Sequence, residues 1–244
     1  MSSLVLKLIA AVSMLIDHAG LMLFDNMPIM RVIGRLAFPI YAYCIAEGFR
    51  YTRNRLRYFL QVFLLGLVCQ IVYTIADRTL YLGILIVFSI SIIIMYFADC
   101  AKTASRGSIS SLNKVLTKLL GRSTPFSADT DRTISYAFTA AAILGALLLS
   151  SFVSVDYGFF GIMLPVFTSL FEDKPRRLVM FSASLMALCI VMTETFPIQY
   201  WSLGAIPIIA LYNGKPGKYR LKYFFYIFYP AHLAVLYGLQ MLLK

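Results

Sequence analysis

Long apolar stretches recur along nearly the whole chain, at 4–24, 29–49, 58–76, 79–98, 133–154, 157–172, 178–195, 198–212 and 223–243. Crossing a hydrocarbon core about 30 Å thick takes roughly 20 helical residues, and most of these stretches reach that length. The sixth and eighth are short, so they would tilt, re-enter or borrow flanking residues. Lipid offers no partner for backbone N–H and C=O groups, so such segments pair them internally, as helices. A soluble globule is excluded by composition, since 60% of the residues are hydrophobic and only 14% charged. Soluble domains carry about 25% charged residues, and the mean hydropathy here is +0.80. The expected fold is all-α, a polytopic membrane helix bundle of about nine transmembrane helices. Residues 1–244 would form one domain, with a basic loop at about 100–132. The first stretch has the length of a signal peptide, but Lys7, Asp17 and His18 interrupt it, so it reads as a retained first helix.

A net charge of +11 would suit nucleic acid if it were gathered on one face. Instead the basic residues fall in alternate connections between apolar stretches, and no nucleic-acid partner is expected. One group is Arg50, Arg53, Arg55 and Arg57; the next is Lys102, Arg106, Lys114, Lys118, Arg122 and Arg132. Lys174, Arg176 and Arg177 follow, then Lys215, Lys218, Arg220 and Lys222. The intervening connections carry mainly Asp25, Asp77 with Arg78, Asp156 and Glu194. By the positive-inside rule the N-terminus is cytoplasmic and the C-terminus outside, as expected in a plasma membrane. Between Cys100 and Arg132, residues 112–120 read as a short basic amphipathic helix on the inner membrane surface, or as a flexible loop. No internal repeat of the transporter kind is visible. The four cysteines are scattered without metal-ligand spacing and read as small buried hydrophobes, and two distant histidines make no metal site.

Charge inside lipid carries more information. A charged residue at the centre of a lone helix costs roughly 2.5–3.5 kcal/mol, yet the first two stretches hold Asp17, His18, Arg31, Arg35 and Glu47. Such residues face a bundle interior or a wet cavity and are functional by default. Arg31 and Arg35 are i,i+4 neighbours and make one basic patch. Asp17 and His18 are adjacent and cannot face each other, so Asp17 is expected to pair with Arg31 or Arg35 across the helix interface. His18 is then left for chemistry; the plainer alternative is an ion pair that only fixes packing. His232 follows Pro230 by two residues, where a kink can open onto a polar group, or a neighbouring helix simply satisfies it. Asp156-Tyr157-Gly158 either closes over the site or is a turn. Asn213-Gly214-Lys215-Pro216-Gly217-Lys218 either cradles phosphates through its N–H groups or is a turn.

Several segments resemble the TraX family of membrane proteins. They are Leu6 to Ala10 with Met14-Leu15-Ile16-Asp17-His18-Ala19-Gly20, then Arg31-Val32-Ile33-Gly34-Arg35-Leu36-Ala37-Phe38-Pro39-Ile40, and Ala46-Glu47-Gly48-Phe49. The likeness returns at Asp156-Tyr157-Gly158 and at Tyr226 to Leu233. That family is known for acetylating the amino terminus of conjugative pilin. It resembles the wider transmembrane acyltransferases, including bacterial sugar O-acylating enzymes and the lysosomal heparan-α-glucosaminide N-acetyltransferase. The resemblance implies an acyl-CoA-dependent transferase with a membrane-embedded histidine, and His18 matches that role.

Under this resemblance acetyl-CoA, or another acyl-CoA, is the donor substrate. Its phosphates would dock on cytoplasmic cations such as Arg53, Arg55, Lys215 and Lys218, and no metal is called for. The acceptor would be an amine or hydroxyl of a peptide, sugar or lipid-like molecule near the outer face. His18 would act as general base or accept the acyl group itself, with Asp17 beside it, and Arg31 or Arg35 would stabilise the oxyanion or hold the acceptor. Glu47, Asp156, Tyr157, Tyr229 and His232 would contact substrate or support these groups. A transporter of a small solute, with the buried charges as a proton relay, is the alternative, and a membrane assembly factor a third reading.

Overall fold

The computed structural model describes residues 1–77, 81–192, 197–219 and 221–243, apart from the side chains at 72, 73, 75–77, 222 and 223. Arg78, Glu194 and Arg220 of the loop charge pattern lie outside the described residues. The elements run α1 (Ser3–Met22), α2 (Pro28–Gly34), α3 (Ala37–Tyr51), α4 (Arg55–Asp77), β1 (Tyr81–Leu82), α5 (Ile84–Ser105), α6 (Ser111–Leu119), α7 (Ala128–Phe152) and β2 (Ser154–Val155). After these come α8 (Gly158–Ser169), α9 (Lys174–Met192), a 3-10 helix (Pro197–Gly204), α10 (Ala205–Ala210) and α11 (Lys222–Leu243). The fold is all-helical; β1 and β2 are two-residue strands that pair parallel and make no real sheet.

Among the described residues, six helices are long and apolar enough to cross a membrane: α1, α2 with α3, α5, α7, α9 and α11. Their outer faces are apolar as well as their inner ones. Leu144 on α7, Val179 and Ile190 on α9, and Val235 on α11 are all exposed. Water would penalise so much exposed apolar surface, and lipid would not.

Where hydropathy reads one stretch at 29–49, the chain forms two helices that part at Arg35 and Leu36. Pro39 has no N–H to give the carbonyl of Arg35, so the helical ladder is interrupted there. The eighth stretch is likewise divided, into the 3-10 helix and the six-residue α10. The expected helix at 112–120 forms as α6, over Ser111–Leu119, and its start is anchored by buried polar contacts. Ser110 gives its N–H and its hydroxyl to the two oxygens of Asp131, at 2.8 and 2.6 Å, and Asn113 bonds the backbone of Phe126 in both directions.

The chain divides into two compact units, Met1–Arg50 with Met163–Lys244, and Tyr51–Ile162. In the second unit α4, α5 and α7 pack as antiparallel neighbours, and Arg55 of α4 pairs with Asp99 of α5. In the first, α1 and α2 are antiparallel, with Gly20 against Met30 and Gly34 against Asp17. α11 runs parallel to α1: Lys7 lies over the Phe225 ring, and further along both helices His18 meets His232. The start of α1 lies at the same end as two connections of this unit, the one before α9 and the one before α11. The Met1 ammonium donates to the carbonyl of Leu211, Ser3 donates to that of Lys215, and Lys174 donates to the carbonyls of Ala210 and Tyr212.

Candidate functional site

The site is built where α1 meets α2 on one side and α11 on the other. Asp17 and His18 are consecutive on α1 and so diverge by roughly 100° around the helix axis. Asp17 faces α2, and His18 faces α11.

On the α2 side, Arg31 Nη1 lies 2.8 Å from Asp17 Oδ2, and Arg35 Nη2 lies 3.0 and 3.1 Å from Oδ1 and Oδ2. Arg35 also donates through Nε to the carbonyl of Arg31 at 3.4 Å. One carboxylate is shared between two guanidinium groups, so the cluster keeps one net positive charge. Gly34 makes this possible, since a Cβ there would stand 2.1 Å from Asp17 Oδ1. That glycine, set between the two arginines in the sequence, is a site residue that charge-based reasoning passes over. The signal was available: only glycine allows so close an approach of backbone to a carboxylate.

On the α11 side, His232 Nδ1 lies 2.8 Å from the carbonyl oxygen of Phe228. A carbonyl only accepts, so this nitrogen carries the proton, and in the neutral ring Nε2 is an acceptor. That Nε2 is 2.9 Å from His18 Nδ1. His18 therefore donates from Nδ1, and its own Nε2 keeps the lone pair. Among the described residues no hydrogen bond reaches His18 Nε2. The His232 ring is held in place by Phe228, stacked at 5.0 Å, and by Tyr229, edge-on at 5.9 Å. Pro230 sits inside α11 and has no N–H to give to the helical ladder.

Thus Asp17, His18, Arg31, Arg35, Tyr229 and His232 come together. Glu47 and the 213–218 turn lie elsewhere in the first unit, and Asp156, Tyr157, Arg53 and Arg55 belong to the second. Glu47 forms a buried ion pair with Arg177 near the start of α9, under the fully buried Tyr43. Asp156 accepts from the Tyr81 hydroxyl at 2.9 Å within the second unit, and Tyr157 and Gly158 follow as a left-handed turn with φ of 58° at each. Arg53 is exposed and Arg55 is paired with Asp99 in the second unit, whereas Lys215 and Lys218 are exposed in the first. In the 213–218 turn the N–H of Lys215 is already taken by Asn213 Oδ1, and Gly217 lies directly against Leu4. Among the described residues no group of three His, Cys, Asp or Glu side chains could hold a metal ion.

A family model described as TraX protein matches residues 2–240. The chain belongs to the TraX family. Among related proteins, this TraX chain is 24% identical to the probable fimbrial assembly protein FimC, serogroup H1, of Dichelobacter nodosus, across 100% of its own length and 97% of the relative's. It is also 34% identical over 106 residues to an uncharacterised protein of Rickettsia prowazekii, covering 43% of this chain and 38% of that one. No solved structure matches it.

Proposed function

We propose that this TraX protein is a membrane-embedded acyltransferase that moves an acetyl group from acetyl-CoA to an amine or hydroxyl acceptor. The observation that carries the reading is the oriented His18: His232 takes its Nδ1 proton in a hydrogen bond, so Nε2 is left as a base, with a net positive Asp17–Arg31–Arg35 cluster on the next face of the same helix. A general base and an oxyanion stabiliser are the two groups that acyl transfer from a thioester needs. Two histidines and an ion cluster of this design, buried or half-buried where α1 meets α2 and α11, fit chemistry better than packing.

In the proposed reaction the acceptor nitrogen or oxygen attacks the thioester carbonyl while His18 Nε2 takes its proton. The negative charge that develops on the carbonyl oxygen is met by the guanidinium groups of Arg31 and Arg35. Collapse breaks the carbon–sulfur bond, and the leaving thiolate receives the proton from Nε2, giving the acylated acceptor and free CoA thiol. His232 keeps its Nδ1–H in a hydrogen bond to the Phe228 carbonyl throughout and holds His18 in the productive tautomer. An acyl group resting on His18 Nε2 itself would use the same orientation.

We further propose a chain of nine spans with a cytoplasmic N-terminus. Parallel α1 and α11 start at the same side, which supports an odd number of spans. The cluster of connections around Met1 brings Arg50, Lys174, Arg177 and Lys215 to one end of the first unit, as the positive-inside rule asks. Acyl-CoA would reach the protein from that basic side. The acceptor is proposed to be the amino terminus of a pilin-type subunit, supported by the fimbrial assembly named for the Dichelobacter relative. Transfer of labelled acetyl from acetyl-CoA to such a subunit by the purified protein, lost in His18→Ala, tests the reading.

A further inference from the structure

Gln199 lies in the 3-10 helix Pro197–Gly204, and its side chain is the second unusual polar group of the first unit. It is 1% exposed, and among the described residues neither its Nε2 nor its Oε1 has a hydrogen-bond partner. Its backbone, by contrast, is secured: Cys189 of α9 directs its thiol to the Gln199 carbonyl at 3.4 Å and to the Ser202 hydroxyl at 3.3 Å. A buried carboxamide without partners lowers stability, and an apolar side chain of the same size would not. Folding therefore gains nothing from this amide.

Its position indicates what would use it. The 3-10 helix packs on α2, the helix that carries Arg31, and Gly204 is set against Leu36, next to Arg35. A run of eight residues is long for a 3-10 helix. A primary carboxamide offers two donors and an acceptor in one plane. The neutral group that returns both is a secondary amide, with one N–H and one C=O. Charged ligands would be served by Arg31 and Arg35, on and just after the helix against which this 3-10 helix packs, and a hydroxyl would leave half of the amide unmet.

We propose that Gln199 binds a secondary amide of a substrate in the Arg31–Arg35 region, supplied either by the pantetheine arm of the acyl donor or by the backbone of a peptide acceptor. This rests on the acyl-transfer reading above. The test compares wild type with Gln199→Met, which keeps the volume and removes the amide, using the full chain in lipid nanodiscs. Three quantities are read: thermal midpoint without substrate, acetyl-CoA affinity by calorimetry, and KM for a short synthetic peptide with a free amino terminus. The expected variant unfolds no earlier than wild type and loses affinity for one substrate by about tenfold, the worth of one neutral hydrogen-bonded group. Weaker acetyl-CoA binding identifies the donor's arm, and a raised peptide KM with unchanged acetyl-CoA binding identifies the acceptor's backbone. A lowered thermal midpoint, or unchanged affinities for both, overturns the inference while leaving acyl transfer standing. Failure of the wild type to bind acetyl-CoA overturns both.

Discussion

His18 Nδ1 and His232 Nε2 are 2.9 Å apart although 214 positions separate them in the chain, and this contact joins the first apolar helix to the last. Because the other nitrogen of His232 is committed to the Phe228 carbonyl, the direction of every proton along the line is determined. His232 is thus a positioning residue, acting through His18.

Removing it should slow transfer without weakening substrate binding. His232→Ala is expected to lower kcat by about 10–100-fold, the usual effect of losing a partner that orients a functional histidine, with KM little changed. His232→Gln, whose carbonyl can accept from His18 Nδ1, should recover part of the loss. A purely structural role would not give that split or that rescue.

Gly34→Ala tests the ion cluster from its backbone side. The added methyl would stand where Asp17 Oδ1 now lies, so Asp17 is expelled from between the arginines. Activity should fall as far as in Asp17→Ala. Both variants leave two guanidinium groups poorly compensated, and each should lose about 3–5 kcal/mol, the cost of stripping one partner from a buried pair. Chemical denaturation in a fixed detergent measures it.

Glu47 and Arg177 make a second buried pair, with side chains 8% and 6% exposed. Glu47→Gln or Arg177→Met alone should destabilise by about 3–5 kcal/mol, whereas Glu47→Leu with Arg177→Met together should recover most of it. A double-mutant cycle on unfolding free energy reads the coupling. Additive losses would show that the pair is not coupled.

Asp131 is 1% exposed and receives two hydrogen bonds from Ser110. Asp131→Ala orphans a buried N–H and a hydroxyl, worth about 1–3 kcal/mol, at the anchor of α6. Hydrogen exchange should quicken across residues 108–120 and stay unchanged in α1. Unaltered exchange in α6 would contradict its anchoring role.

Much of this was legible in the sequence because hydropathy and charge are local properties. The apolar stretches emerge as helices, and the need of Asp17 for a cation follows from its burial in lipid, which is why Arg31 and Arg35 can be named as partners before any coordinates. The rest depends on tertiary approach. The break at Arg35 is written in Pro39, but a hydropathy window averages over it. Glu47 falls in the same resembling stretches as Arg35, yet its partner is Arg177, which the charge pattern assigns to a loop. No periodicity links His18 to His232, because their contact depends on α1 and α11 packing side by side. An orphaned amide such as Gln199 becomes visible only when every neighbour is in place.

The most direct test of the central claim is CoA release from acetyl-CoA by purified wild type and His18→Ala in nanodiscs, with a pilin-type subunit bearing a free amino terminus as acceptor and acetyl-CoA binding measured on the same samples. The account predicts that both proteins bind acetyl-CoA and that only the wild type releases CoA and acetylates the subunit. Equal release by His18→Ala, or no binding of acetyl-CoA to the folded wild type, would contradict it.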